Sequence, residues 1–282
     1  MHVVGRSPEQ FGLKRSRWTL QTLLGQCEQL NLHTVAGLWQ LLRRLGIHYK
    51  RARDYLHSPD GHYTEKLEWI AECLQCVRCE PQRYGIFYMD ELTFYRQPTL
   101  ASAYALQGTS QPLAYRSYRS NTTGRILSAL NALTGQVTYY LGSRISLLAL
   151  RQFYYQLREV YPEAERLYVV QDNWPVHAHP DVMVVLEPQD YPWPATLPPN
   201  WSTEPRASIV PDNLPIQLLF LPTYAPWTNP IEKLWRWLHQ DRLHLHRLSD
   251  DWDQLKQGIC EFLDGFAGPS PALLRYVGLL PN

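Results

Sequence analysis

Residues 84–91 read YGIFYMDE, a short aromatic and β-branched run that ends in two carboxylates. Such a run is typical of a buried strand. Residues 166–172, RLYVVQD, repeat the pattern and end on Asp172, and residues 216–221, IQLLFL, form a third apolar run. Between the first two runs, residues 125–132 and 136–141 flank a tight turn, and residues 147–161 show helical spacing. Strands that alternate with helices predict an α/β fold.

A third acid follows the last of these runs. Residues 229–232, NPIE, predict a helix start in which Asn229 is the cap, Pro230 takes the first helical position and Glu232 falls in the first turn. Asp90, Asp172 and Glu232 therefore come at strand ends or at a helix start, where α/β sheets build their sites. Convergent carboxylates bind hard divalent cations, chiefly Mg²⁺ or Mn²⁺. Each acid also has a structural explanation: Glu232 as part of a capping box, Asp172 as the cap of the next turn, and Asp90 facing solvent.

The charge of the chain is unevenly distributed. The 282 residues carry a formal net charge of +1, with 45% hydrophobic and 19% charged residues, which excludes a disordered chain. Residues 1–57 carry a net charge of +6, and the remainder carries −5. A basic head on an acidic body is typical of a nucleic-acid-binding module joined to another domain. The apolar runs are too short to span a bilayer, and five cysteines without a framework pattern predict a reducing, cytoplasmic location.

The basic head has the pattern of two short helices. Residues 19–30 and 35–45 carry apolar side chains at helical spacing, with Thr34 as the cap of the second helix. This pattern fits a helix-turn-helix, and it also fits an ordinary helical hairpin with a solvated basic surface. We predict that the cations in and after the second helix contact nucleic acid, namely Arg43, Arg44, Lys50, Arg51 and Arg53.

Three cysteines lie on a further predicted helix, residues 64–79. Cys73, Cys76 and Cys79 share one helical face, which is compatible with a metal site. Tetrahedral zinc needs a fourth ligand, however, and no nearby Cys-x-x-Cys pair supplies it. Packing as small buried hydrophobic side chains is the alternative.

The chain resembles the DDE transposases of the bacterial insertion-sequence branch of the mariner superfamily. The resemblance is carried by MDE at 89–91, by VVQDNWPVH at 169–177 and above all by LPTYAPWTNPIEKLW at 221–235. Residues 38–60, which end in HSPD, are similar to the segment that leads into the catalytic domain of that family.

The resemblance implies an RNase H-like fold, a mixed sheet flanked by helices, with Asp90, Asp172 and Glu232 as catalytic, metal-binding triad. It also implies a DNA endonuclease and strand transferase that uses two Mg²⁺ ions, or Mn²⁺ instead, to cut transposon ends and join them to target DNA. The implied partners are the terminal inverted repeats, target DNA and a second copy of the chain in a DNA-bound homodimer. The implied location is the bacterial cytoplasm, at the nucleoid. The alternative function is a non-catalytic DNA-binding protein derived from a transposase.

The resemblance also assigns neighbouring residues. His177 fits the Asp-Asn-x-x-x-His pattern of the family, so that His177 and Asn173 are candidates to support the second acid, and contact with DNA is a further role open to His177. A capping or surface role for His177 is the alternative. Glu91 is left out of the triad because adjacent residues of a strand point to opposite faces.

Two features depart from the family pattern. Glu232 follows Asp172 by 60 residues, much more than usual, and the excess lies in residues 186–215, which hold eight prolines. We expect this Pro/Trp-rich segment to be an inserted surface loop, since proline at that density cannot continue a helix or a sheet. The chain also has room for only one helix-turn-helix, which favours the downstream part of a split frame or a shortened relic. The expected domains are residues 1–60, the DNA-binding segment with its linker, and residues 61–282, the catalytic domain.

Overall fold

The computed structural model describes residues 3–50, 57–108 and 111–281, and it divides the chain into two compact units, Met1–Tyr55 and Leu56–Asn282. Within those residues, no helix has both the length and the apolar composition needed to cross a membrane.

The second unit is built on a five-stranded mixed sheet with strand order β3-β2-β1-β4-β5. The strands are β1 (Tyr84–Tyr95), β2 (Thr123–Asn131), β3 (Val137–Gly142), β4 (Arg166–Gln171) and β5 (Ile216–Phe220). β1, β2 and β3 pair antiparallel, whereas β4 is parallel to both β1 and β5. β4 and β5 therefore end at the same edge of the sheet, which places the residues that follow them side by side.

Helices cover both faces of this sheet. They are α3 (Tyr63–Cys79), α4 (Leu147–Val160), α5 (Pro180–Met183), α6 (Ile231–Leu238), α7 (Trp252–Asp264) and α8 (Pro271–Val277). Alternation along β1 determines which face each side chain reaches. Phe94 stacks on Trp252 of α7, with ring centroids 5.2 Å apart, whereas Phe87 packs against Tyr161 at the end of α4. The core is thus continuous on both sides of the sheet.

β1 is longer than the sequence predicts. The prediction ended the strand at Asp90 and Glu91, but β1 continues to Tyr95 because β2 pairs with it as far as Tyr95 opposite Thr123. The parallel pairing with β4 ends earlier, at Tyr88 opposite Val170. Asp90 therefore lies where the strand loses its parallel neighbour, and one side of it opens toward the end of β4.

The first unit contains two short helices, α1 (Leu20–Gln26) and α2 (Val35–Arg44). The predicted cap is confirmed, since the Thr34 hydroxyl accepts a hydrogen bond from the backbone N–H of Gly37. The predicted apolar face of α2 is only partly buried. Leu38 is buried, but Trp39 is 47% exposed and its ring lies under the Arg43 guanidinium. The cation therefore covers a side chain that this unit is too small to enclose.

The predicted DNA-contacting cations lie in or near α2. Arg43 and Arg44 occupy its last turn, and Lys50 follows; all three are exposed. Arg51 and Arg53 lie outside the described residues.

The Pro/Trp-rich segment is irregular but well packed. Among its described residues the regular pairing is a single bridge between Leu186 and Leu214. Its aromatic side chains nevertheless join the core: Tyr191 is buried, and Trp193 meets Trp69 of α3 with ring centroids 6.1 Å apart. Most of the segment is exposed, as expected of a surface loop, but Tyr191 turns inward and its hydroxyl donates to the backbone oxygen of Phe220 in β5.

The three cysteines of α3 do not form a metal cluster. Cys73 and Cys76 line a small cavity beside Trp69, whereas Cys79 is exposed. Burial raises the pKa of the Cys73 thiol to about 11, which disfavours the thiolate that zinc requires. Within the described part of the chain, the one group of three such residues whose ligand atoms all lie within 4.8 Å of one another contains no cysteine. The geometry thus favours packing as the role of these side chains.

Candidate active site

The three acids singled out in the sequence line one cavity. Asp90, Asp172 and Glu232 surround a space of about 430 Å³ at the edge of the sheet, together with the loop that follows β5. Asp90 comes from β1, Asp172 directly follows β4, and Glu232 lies in the first turn of α6. The parallel pairing of β1 with β4 and of β4 with β5 explains the convergence, because all three elements reach the cavity at one edge.

Asp90 is the most buried of these carboxylates. Its Oδ2 accepts a hydrogen bond of 2.7 Å from the indole Nε1 of Trp235, which fixes its orientation. Burial, together with the negative charges of Glu232 and Glu91, raises the pKa of Asp90 to about 8 in spite of that bond. Burial and the charge of Asp172 also raise the pKa of Glu232. The acids thus repel one another when ionised, and a cation between them would relieve that repulsion.

The helix that carries Glu232 begins differently from the prediction. The side chain of Asn229 does not cap α6; Pro230 takes that position and offers no side-chain hydrogen bond. The buried amide of Asn229 instead donates from Nδ2 to the backbone oxygen of Met89, at 3.1 Å. Asn229 makes this bond instead of capping the helix because the bond satisfies a buried carbonyl on the residue before Asp90. The start of α6 is thereby tied to the strand that bears the first acid.

Asp172 is held from the other side by a histidine. Nε2 of the fully buried His177 lies 3.3 Å from Oδ1 of Asp172 and 3.4 Å from Oε1 of Glu91. Burial alone would lower the pKa of His177, but the two carboxylates raise it to about 9. The same contact outweighs the burial of Asp172 and lowers the pKa of that carboxyl. His177 is therefore neither a surface nor a capping residue, and it bridges Asp172 and Glu91.

Asn173, the other predicted supporting residue, anchors the loop. Its Nδ2 donates to the backbone oxygen of Leu221, directly after β5. The Asn173 side chain therefore ties the end of β4 to the start of the segment that leads to Glu232.

Two groups of ligands share Asp172. Glu91, Asp172 and His177 place ligand atoms within 4.8 Å of one another, and Asp90, Asp172 and Glu232 face a common cavity. In the first group the imidazole already lies between the two carboxylates. In the second, no Lys or Arg of the described residues forms an ion pair with Asp90 or Glu232. A carboxylate-only set is also the chemistry that Mg²⁺ prefers. The Asp90 group therefore fits a divalent cation better.

The contacts of Glu91 are the main feature of the site that the sequence analysis missed. As alternation along a strand predicts, the Glu91 side chain lies on the face opposite Asp90. The sequence did not show that His177 reaches that face from the turn Pro175–Ala178. The Asp-Glu doublet in β1 and the histidine five residues after Asp172 are the only signals in the sequence.

Tyr224 on the rim of the cavity has an unusual backbone. Its φ of 55° lies in the left-handed region, and the residue is 68% exposed. A large side chain in that conformation costs about 1–2 kcal/mol. Strain of this kind is concentrated at functional sites, where the surrounding structure enforces it.

A buried ion pair supports the same loop from behind. Asp60 pairs with Lys66 at 2.9 Å, and Oδ2 of Asp60 also accepts a hydrogen bond from the backbone N–H of Thr223. The Ser58 hydroxyl donates to the backbone oxygen of Thr223. The HSPD segment therefore clamps the residue next to Tyr224, a role that the sequence did not reveal.

Comparisons with known proteins bear on this site. The family model described as "DDE superfamily endonuclease" matches residues 85–256, more than half of the chain, and spans all three acids. The chain belongs to the DDE superfamily endonucleases. It is also 26% identical over 260 residues to the insertion element IS630 uncharacterized 39 kDa protein of Shigella sonnei. That alignment covers 90% of this chain and 66% of the relative, so the chain spans slightly less than two thirds of the relative's length.

Solved structures show the same fold. The Mos1 mariner paired-end complex with Mn matches with a TM-score of 0.59 at 20% identity, and a pre-cleavage Mos1 transpososome matches with 0.60 at 18%. Each match covers 93% of this chain and 74% of the Mos1 chain. The predicted fold, an RNase H-like mixed sheet flanked by helices and preceded by small helices, is confirmed. The resemblance to the transposases of insertion elements is confirmed with it.

Proposed function

We propose that this DDE endonuclease is a transposase that cleaves DNA at the ends of an insertion element and transfers the cut strand to target DNA. The observation that carries the proposal is the convergence of Asp90, Asp172 and Glu232 on one open cavity. Carboxylates arranged in this way have few uses other than binding divalent cations for phosphoryl transfer.

The three acids would hold the metal in this proposal, with two Mg²⁺ ions or Mn²⁺ in their place. A divalent ion there supplies Lewis-acid stabilisation of the attacking and leaving oxygens in an in-line displacement. The residues of the chain contribute orientation. The Trp235 indole holds one oxygen of Asp90, and His177 holds one oxygen of Asp172 while leaving the other free. The hydrogen bonds of Asp60 and Asn229 hold the loop before α6 in place, and this keeps Glu232 near Asp90 and Asp172.

DNA recognition is assigned to the first unit. Arg43 and Arg44, with Lys50, form an exposed basic surface at the end of α2, and Arg51 and Arg53 continue it in the sequence. Because phosphate contacts dominate affinity for DNA, this surface would contribute backbone contacts, independent of sequence, to the binding of the terminal inverted repeats. Since two ends must be brought together, the proposed assembly is a homodimer on DNA. Mos1 has been solved as a paired-end complex and as a strand transfer complex, and these assemblies support that arrangement.

A metal titration tests the proposed site directly. Mg²⁺ or Mn²⁺ at about 100 times its Kd should stabilise the native protein by about 2.7 kcal/mol. The midpoint of thermal unfolding should rise accordingly, and the shift should be absent in Asp172→Asn. Equal shifts in both proteins would place the metal elsewhere.

A cleavage assay tests the reaction. With Mg²⁺, the native protein should nick a supercoiled plasmid that carries the DNA flanking the reading frame on both sides. Asp172→Asn should not, whereas Glu159→Gln, an exposed acid on α4, should retain full activity. Metal binding without any nicking would identify a decayed transposase that uses only its DNA-binding surface. Nicking of branched DNA without preference for the element ends would identify a structure-selective nuclease.

A further inference from the structure

Asp172 and Trp174 line two cavities at once. The first is the carboxylate cavity described above, and the second is a space of about 270 Å³ on the other side of Asp172. The second cavity is lined by Glu91, Arg125, Arg144, Ile145, Asp172 and Trp174. A chain-like ligand whose reacting group is in the first cavity can therefore continue past Asp172 and Trp174 into the second.

The second cavity carries the opposite charge from the first. Arg125 at the start of β2 and Arg144 just before α4 are both exposed, and they supply two guanidinium groups. The Arg125 guanidinium is oriented by a hydrogen bond to the Thr93 hydroxyl. The Glu91 carboxylate is only 13% exposed and faces His177, so the accessible part of this wall is cationic. Paired arginines of this kind recognise phosphate.

Trp174 lies at the junction of the two cavities. Its backbone N–H donates to Oδ1 of Asp172 at 3.0 Å, and its ring meets that of His177 edge-on at 5.5 Å. These contacts fix the residue, yet it remains 38% exposed. A fixed, accessible indole next to a phosphate site has the properties of a stacking platform for a base.

We propose that Trp174, Arg125 and Arg144 form a subsite for one unpaired nucleotide next to the phosphate that is cut, with its base on Trp174 and its own phosphate on the two arginines. The subsite rests on the proposed function, because it places the scissile phosphate at the three acids. A base inside a duplex is stacked on both faces, so the strand must be unpaired at this position. The combination of indole and paired guanidinium groups favours a nucleotide over a free phosphate or a protein ligand.

Binding of labelled DNA to the full chain tests the subsite. Fluorescence anisotropy in Ca²⁺, whose looser coordination does not impose the octahedral geometry of Mg²⁺, compares a blunt duplex of the element end with one bearing a short unpaired extension. The native protein should prefer the extended duplex. Trp174→Ala should lower that preference about tenfold, the effect of losing one stacked base. Trp174→Phe should largely retain the preference for the extended duplex. The double variant Arg125→Ala/Arg144→Ala should lower that preference, because the phosphate of the unpaired nucleotide loses its two arginines.

A second readout separates the base from its phosphate. The fluorescence of 2-aminopurine in the extension should be quenched on binding to the native protein, and the quenching should be lost in Trp174→Ala. Arg275→Ala, an exposed arginine on α8 that lines neither cavity, serves as the matched control and should behave as native. Unchanged preference in both Trp174→Ala and the double arginine variant would overturn the subsite.

The Mg²⁺ nicking assay distinguishes failure of the proposed function from failure of the subsite. If the native protein nicks the element end but shows no preference for the extension, the subsite is wrong and the function stands. If the preference and quenching appear without nicking, an unpaired nucleotide still binds at Trp174 and the two arginines, and the proposed reaction is wrong.

Discussion

Asp90 and Glu91 are neighbours in β1, yet the two faces of the strand give them different surroundings. Asp90 faces the carboxylate cavity, where Trp235 is its partner and Glu232 is close enough to raise its pKa. Glu91 faces His177 and lines the cavity that contains Arg125 and Arg144. Among the residues that the structure describes, one peptide step therefore separates an acid that pairs with no cation from an acid that pairs with His177.

This difference separates two roles within the proposed site. The acid that lacks a cation is the one suited to hold a metal, and the acid with a histidine partner is suited to hold a neighbouring side chain in place. Asp172 belongs to both groups, so its position links the two faces of the sheet.

The largest expected effect is a contrast between the two neighbours. Asp90→Asn should lower the rate of Mg²⁺-dependent nicking by about a thousandfold or more, because it removes a metal ligand. Glu91→Gln should lower the rate by only about tenfold, because a glutamine keeps a polar oxygen beside the His177 imidazole. Initial rates of plasmid nicking measure both. Equal losses would make Glu91 a metal ligand and would erase the distinction between the two faces.

The next effect concerns the histidine itself. His177→Gln should lower the free energy of unfolding by about 3 kcal/mol, because two carboxylates lose a buried cationic partner. Urea unfolding of the metal-free protein measures this difference. His33→Gln, at an exposed position, is the control and should unfold as the native protein does. A loss below about 0.5 kcal/mol would show that His177 does not hold Asp172 and Glu91 together.

A smaller effect is expected from the ion pair behind the Asp90 cavity. Burial opposes ionisation of Asp60, but its bonds to Thr223, Lys66 and His62 lower its pKa to about 2. A lowered pKa stabilises the folded state above the pKa of the unfolded chain, about 4, and that stabilisation disappears as the pH falls toward 2.

Asp60→Asn should therefore be less stable than the native protein by about 2 kcal/mol at pH 7. The difference should stay constant down to about pH 4 and then shrink. Urea unfolding at a series of pH values measures it. A difference independent of pH down to 2.5 would mean that the charge of Asp60 is not what clamps Thr223.

The smallest effect tests the link between α6 and β1. Asn229→Ala removes the hydrogen bond to the backbone oxygen of Met89 and should cost about 1 kcal/mol of stability. The midpoint of thermal unfolding should fall by about 2–4 °C. Nicking should slow more than this loss of stability explains, since Glu232 is freed relative to Asp90. Native activity in a destabilised variant would show that α6 is held mainly by its apolar side, Leu234 and Trp235.

Much of the fold could be predicted from the sequence. The runs that end at Gln171 and near Phe220 are short, apolar and bounded by turn residues, so strand pattern alone locates β4 and β5. The convergence of the three acids follows from the parallel order of those strands. What pattern could not show is the extent of β1 beyond Glu91, because that length depends on pairing with β2 across the sheet.

The missed features of the site share a physical cause. Asn229 has the sequence of a helix cap, but a buried carbonyl elsewhere in the fold competes for its amide. The sequence points to Asp172 as a partner of His177, but it does not point to Glu91, whose charge also makes the burial of the imidazole tolerable. In both cases the deciding partner is distant in sequence, and local propensity contains no information about it.

The bridge between Leu186 and Leu214 has a consequence for how this family can vary. The backbone N–H of Leu214 donates to the backbone oxygen of Val185, and that of Glu187 donates to the backbone oxygen of Leu214. The two ends of the segment between Leu186 and Leu214 are therefore held side by side. Chain added to such a closed loop costs only about 0.6 kcal/mol per doubling of its length. The number of residues between Asp172 and Glu232 can therefore vary among relatives, while the separation of the two acids in space stays the same. A search for relatives that demands a set interval between those acids would overlook chains in which the acids still face one cavity.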